Sequence, residues 1–269
     1  MTHLKHLTSS QGLGKSDPGF TLPELLAVII LIGFFSALLI FYSFSYWRYS
    51  SLLEADLDTF VNRLNANDFV REKIGTSSGL IIQNSIADDN TNNPDPDYAS
   101  GDYWIPIHAI PKNTLATGSG TEPLLYFKRF SANSSGAYVM NGTQPYEDEY
   151  VLYVDKAQKQ LLARSLANPN ASGNALKTSC PPAIATASCP ADKVIINDLS
   201  SIDSKYFSKS GNSVDHTSSI DPGTGEYNGP DYPVVEVLEI SFHVAKKPFL
   251  QKNNATISDT VIRIALRNT

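Results

Sequence analysis

The chain has 269 residues, a formal net charge of −6, and 42% hydrophobic against 18% charged residues. That length allows one ordinary domain plus a long helix. The mild, evenly spread acidity excludes a dedicated nucleic-acid surface, which needs clustered Lys and Arg to displace counterions from phosphates.

The first element is an uncharged run, Leu25–Trp47, LLAVIILIGFFSALLIFYSFSYW. At about 1.5 Å per helical residue it spans roughly 30 Å, the thickness of a hydrocarbon core. Tyr42, Phe44, Tyr46 and Trp47 suit a membrane–water interface. Lys5 and Lys15 precede the span, and Glu54, Asp56 and Asp58 follow it, which favours a cytoplasmic N-terminus. A secretory signal peptide would carry a small-residue cleavage site after the apolar run. The far end here lacks one, and the unusual residues stand in front of the run.

Those residues are Asp17-Pro18-Gly19-Phe20-Thr21-Leu22-Pro23-Glu24-Leu25. The stretch resembles the processing site of type IV prepilins and pseudopilins: a hydrophilic leader ending in Gly, then Phe, then Thr-Leu-x-Glu, then about twenty apolar residues. The resemblance implies that a prepilin peptidase cuts between Gly19 and Phe20 and methylates the new amine of Phe20. It implies that Glu24 pairs with a Phe20 ammonium, its own or a neighbour's, and sets axial register in a polymer. A carboxylate at the edge of hydrocarbon is costly to ionise unless paired, and a helix N-terminus favours it. Pro23 fits a first helical turn, whose N–H groups lack intrahelical partners. Gly33 either loosens the span or lets helices pack closely.

Beyond the span, Leu53, Leu57, Phe60 and Leu64 recur at spacings of four, three and four. They predict an amphipathic continuation whose apolar stripe packs on a sheet, with Gly75 and GTSSG ending the helix. Seven strands are expected after it: Leu80–Ile86, Leu124–Phe130, Tyr150–Asp155, Gln160–Leu166, Lys193–Leu199, Val234–Val244 and Thr260–Arg267. In the late ones Leu238, Ile240, Phe242 and Val244 share one face, as do Ile262, Ile264 and Leu266. The fold class is therefore α+β, with the helix on one antiparallel sheet. By the resemblance this is a pilin fold, with a leader over 1–19, a helix over 20–74 and an extracytoplasmic head over 75–269. Long polar loops fall near 87–102, 167–192 and 209–233. The pair Cys180 and Cys189 reads as a small loop-closing disulfide of an oxidising compartment, or as two free thiols. Zinc is disfavoured, since it takes four ligands and no second Cys/His pair stands at ligand spacing.

A second resemblance covers the C-terminal half. A strand–turn–strand ending Leu162-Ala163-Arg164 and a later segment with Ser200, Ser201, Tyr206 and Phe207 look like the W- and J-type minor pilins and pseudopilins.

No catalytic constellation is found, and no cofactor or metal is expected: GxSxG, HExxH and Walker A are absent, and His108, His216 and His243 are scattered. The Asp/Asn-rich groups Asp88, Asp89, Asn90, Asp95 and Asp97, and Asp221, Glu226, Asn228 and Asp231, suit turns better than an EF-hand.

The expectation is a structural, non-enzymatic minor subunit of a type IV pilus, acting in initiation or at the tip. Its partners would be other pilins through the N-terminal helix, the prepilin peptidase, the inner-membrane assembly platform and the membrane itself, with no nucleic acid. It would be a single-pass membrane protein with a cytoplasmic leader, then part of an extracytoplasmic filament. The alternatives are a J-type type II secretion pseudopilin and a non-polymerising anchored adhesin.

Overall fold

A computed structural model describes Gly19 and residues 21–92, 94, 101–105, 114–116, 118–213, 235–246 and 256–266. Helix α1 spans Leu22–Phe69 and runs into a single π turn at Val70–Ile74. Leu, Ala and unbranched residues favour the helix, and its proline stands in the first turn, where no N–H is missed. Gly75 terminates it, donating its N–H to the Val70 carbonyl at 2.9 Å. A Cβ on Gly75 would sit 2.6 Å from the Arg71 carbonyl oxygen and 3.3 Å from Ile264 Cγ2. Glycine is needed there for close approach, since its φ of −64° is an ordinary one.

The chain divides into two compact units, one ending at Ser50 and one beginning at Ser51. In the first, every α1 side chain from Leu22 to Ser50 is exposed. The second holds the rest of α1 and eleven strands among the described residues. They are β1 Gly79–Ile81, β2 Thr114–Leu115, β3 Thr121–Phe130, β4 Met140–Asn141, β5 Gln144–Pro145 and β6 Glu147–Asp155. There follow β7 Gln160–Leu166, β8 Lys193–Ile196, β9 Leu199–Ser208, β10 Val235–Lys246 and β11 Thr256–Ala265. The class is α+β, with every pairing between strands antiparallel.

Two principal sheets replace the single one expected. One has the order β1-β3-β6-β7-β8 and the other β11-β10-β9-β2, with β4 and β5 forming a small ribbon. The break lies inside the stretch expected as one strand, Lys193–Leu199. Asp198 takes a left-handed φ of 55°, so β8 ends in the first sheet and β9 begins in the second. One apolar core joins Ala66, Phe69, Val70 and Ile74 of the helical segment to both sheets.

The strand expected at Leu80–Ile86 shortens to Gly79–Ile81. Its remainder finds side-chain partners: the N–H groups of Ser85 and Ile86 donate to the Glu149 carboxylate at 2.7 and 2.9 Å. A backbone satisfied in this way has no need of a neighbouring strand. The hairpin β6–β7 and the alternation of β10 follow the sequence reading. Leu238, Ile240, Phe242 and Val244 are buried, as are Ile262, Ile264 and Leu266 opposite.

The helix rotates against expectation. Leu53, Leu57, Phe60 and Leu64 are exposed by 44–59%, whereas Ala55, Thr59, Asn62, Ala66 and Phe69 are buried. Small side chains let the helix sit close. The Asn62 amide donates to the Asn197 carbonyl at 3.0 Å and accepts from the Asn197 N–H at 3.1 Å. Thr59 returns its hydroxyl to the Ala55 carbonyl at 2.7 Å. The apolar stripe expected to pack on the sheet is exposed, and a different face of the helix is buried.

The tight helix end gives a test. Gly75→Ala should lower unfolding stability by about 1–3 kcal/mol, because a backbone carbonyl must move. Gly79→Ala, with nothing within 4 Å of its added Cβ, should stay within about 1 kcal/mol. Urea titration of both variants in detergent micelles reads the difference.

Candidate functional site

Three places are candidates for function: the start of α1, its exposed stripe, and the face of β7 with the loops around it.

At the start of α1, Glu24 occupies the third helical position after Thr21. Its Oε2 accepts from the Thr21 N–H at 2.9 Å and from the Thr21 hydroxyl at 2.8 Å. The Thr-x-x-Glu spacing thus works as a capping box seen from the Glu side, satisfying an N–H that the helix leaves over. Gly19 is exposed. Phe20 lies outside the described residues. The helix passes Gly33 unbroken, with open space around that position.

The segment of α1 that follows is the one helix, among the described residues, long and apolar enough to cross a membrane. It has the length and composition of a single membrane span or signal anchor. Past it, the exposed residues Leu53, Leu57, Phe60, Val61 and Leu64 extend the apolar surface over about three helical turns. Full burial of a side chain of this kind stabilises by about 1.5–3 kcal/mol, and none of the five achieves it within the monomer.

The third place is a buried polar cluster that sequence reasoning missed. Arg164 of β7 has no accessible side-chain surface, nor have its partners Asp88 and Asp192. Its Nε donates to Asp192 Oδ1 at 2.9 Å and its Nη2 to Asp192 Oδ2 at 2.7 Å, the bidentate fork of guanidinium on carboxylate. Nη1 donates to Asp88 Oδ2 at 2.9 Å and to the Asn90 carbonyl at 2.7 Å. Further donors complete both acids: Trp104 Nε1 reaches Asp88 at 2.9 Å, while Tyr153 and Ser179 hydroxyls reach Asp192 at 2.6 Å. The guanidinium carbon lies 5.5 Å from the Trp104 ring centroid and 5.8 Å from that of Tyr153. Burial works against the Arg164 charge, but the hydrogen bonds to Asp192 and the field of both acids outweigh it and raise its pKa. Burial, then the Asp192 charge, pushes the Tyr153 hydroxyl well above the ordinary tyrosine range.

The two acids and the one base are held by seven of these hydrogen bonds. Such a cluster fixes geometry and presents no free group for chemistry. A sequence signal for it existed: Arg164 stands on the same strand face as Leu162 and Leu166, both buried, and a charge on an apolar face demands partners. Asp88 is thereby neither a solvated turn residue nor free for calcium. Asp95, Asp97, Asp221, Glu226, Asn228 and Asp231 lie outside the described residues, as do His108 and His216. His243 Nδ1 meets Asp259 at 2.7 Å on the surface. Among the described residues no three His, Cys, Asp or Glu side chains gather as metal ligands would.

Cys180 and Cys189 form a disulfide. Just outside it the Cys180 N–H donates to Pro190 and the Asp192 N–H to Cys180, both at 2.8 Å. The crosslinked loop therefore delivers Asp192 to Arg164. Of the later C-terminal segment, Ser201 and Tyr206 are buried in β9, Ser200 is exposed and Phe207 is half-buried.

No family model, curated protein or solved structure matches this chain.

Arg164→Met should destabilise the protein by about 3–5 kcal/mol, because two acids remain buried without their base. Replacing Arg164, Asp88 and Asp192 together by Met, Asn and Asn should recover part of that loss. Chemical denaturation of both variants checks the order.

Proposed function

We propose that this chain is a type IV pilin-like subunit, cut between Gly19 and Phe20, methylated on the Phe20 amine, and assembled through α1 into an extracytoplasmic filament. Within such a filament it acts as a minor, structural subunit at initiation or at the tip. Its sheets and long apolar helix form the pilin head and rod of that reading, and Glu24 pairs with a Phe20 ammonium on assembly. Its partners are other pilins, the prepilin peptidase, the assembly platform and the membrane.

The observation that carries the reading is the outward stripe Leu53, Leu57, Phe60 and Leu64. A tethered, solitary head needs apolar helix surface only across the bilayer. Here exposed apolar side chains recur in the second unit, interleaved with the charged Glu54, Asp56 and Asp58. Helices of neighbouring subunits would cover them. The capping contact of Thr21 with Glu24 also fits: it holds the carboxylate at the helix start, next to the amine that cleavage would expose.

Two measurements test this. Mass spectrometry of the mature N-terminus should find methylated Phe20 as the first residue, and an intact Met1 in filaments sinks the processing step. Leu57→Glu with Phe60→Glu should reduce incorporation into filaments by about tenfold or more, while membrane level and head melting stay unchanged. Unchanged incorporation identifies a simple anchored ectodomain.

A further inference from the structure

A cleft of about 350 Å³ opens in the second unit between the end of the helical segment, the β6–β8 face and the disulfide-bearing loop. Its floor comes from paired strand positions: Tyr150 stands opposite Ser165, and Ala163 opposite Lys193. Small side chains at Ala163, Ser165 and Ala175 leave the room, while Phe69, Tyr150 and Leu176 make its lining apolar. The position of Phe69 is set by its edge contact with Phe127, and Tyr150 stacks on that same Phe127 ring at 5.1 Å.

Three lysines from three different elements converge on this cleft: Lys73 from the π turn, Lys177 from the loop after β7, and Lys193 from the first position of β8. None of its walls among the described residues is acidic, although the chain as a whole carries −6. The Lys193 ammonium lies 5.5 Å over the Phe69 ring, and Lys177 reaches the Ala187 carbonyl at 3.2 Å. Lys73 pairs with Glu72 at 2.7 Å, a carboxylate 62% exposed and not part of the walls. The positive field is felt there: the hydrogen bond and charge of Lys73, with Arg129 and Lys193 adding, hold the Glu72 carboxyl below its usual range.

Lysine ammoniums are compact point charges with rotatable donors, suited to a single small anion rather than a planar fork. An apolar floor asks for a hydrophobic stem behind that anion. The volume stands at the lower end of small-ligand sites, about 300–1,000 Å³. We propose that this cleft binds a small organic acid, its carboxylate between Lys177 and Lys193 and its aromatic or branched aliphatic stem against Tyr150 and Leu176. The proposal is independent of filament assembly, since the cleft shares no lining residue with the outward stripe of α1.

The test is an NMR titration of the full chain in detergent micelles with phenylacetate, its neutral isostere phenylacetamide, and acetate. Phenylacetate should give saturable shifts at Lys177, Lys193 and Tyr150, with affinity at least about tenfold above both comparators. Lys177→Glu with Lys193→Glu should abolish the shifts. Lys209→Glu, at a side chain 88% exposed and outside the cleft, should leave them intact. Lys177→Gln alone, which removes one charge without reversal, should weaken binding about threefold or more. Equal affinity for the acid and the amide overturns the proposal. So does an absence of saturation below about 10 mM, or persistence of the shifts in both the reversed and the neutralised variants.

Discussion

The rotation of α1 about its own axis is held by Asn62, which exchanges two hydrogen bonds with the backbone of Asn197. Successive helical residues are about 100° apart, so a seat at this one position decides which side chains face the sheets. Ala55, Thr59, Ala66 and Phe69 fall inward with it, and the large aliphatic residues fall outward. The contact is close because its residues are short, and directional because one of them is an amide. A greasy interface of Leu and Phe would have tolerated sliding; a bidentate amide does not. The outward surface on which the functional proposal rests is a consequence of that seat.

The interior of the second unit follows a related rule. Where strands alternate regularly, apolar side chains fill the core and loops need little. Where an ionisable group enters, the fold surrounds it completely. Arg164 draws in Asp88 from one loop and Asp192 from another, and Trp104 and Tyr153 close over it. Glu149 does the same on a smaller scale for Ser85 and Ile86. Loops that looked like surface decoration are therefore fastened by buried charge, and the disulfide acts on the short stretch that carries Asp192.

Much of this was legible because local pattern and global position agree. The apolar span, the β6–β7 hairpin and the faces of β10 and β11 each follow from a single period in the sequence. β9 escaped because the polar Ser201 and Ser204 are buried, breaking the alternation that marks a strand. The turn at Asp198 escaped because nothing in Asn-Asp-Leu announces a change of sheet. The helix face was misread for a physical reason: periodicity reports which residues prefer to leave water and is silent on whether their partner belongs to the same chain. The partners of Arg164 lay beyond local reading, since its acids are 76 and 28 residues away.

The disulfide closes a stretch with a sequence separation of only nine, far along the chain from the helix although the loop that bears it and the helix border one cleft. Along the chain, α1 is joined to the first sheet through Gly75 and then β1, a strand of three residues paired to β3 alone. The covalent crosslink is not on that route and shields nothing along it. What ties the helix to the sheets is a short ladder and the lateral seat at Asn62, so the covalent brace and the helix anchorage lie in different parts of the chain.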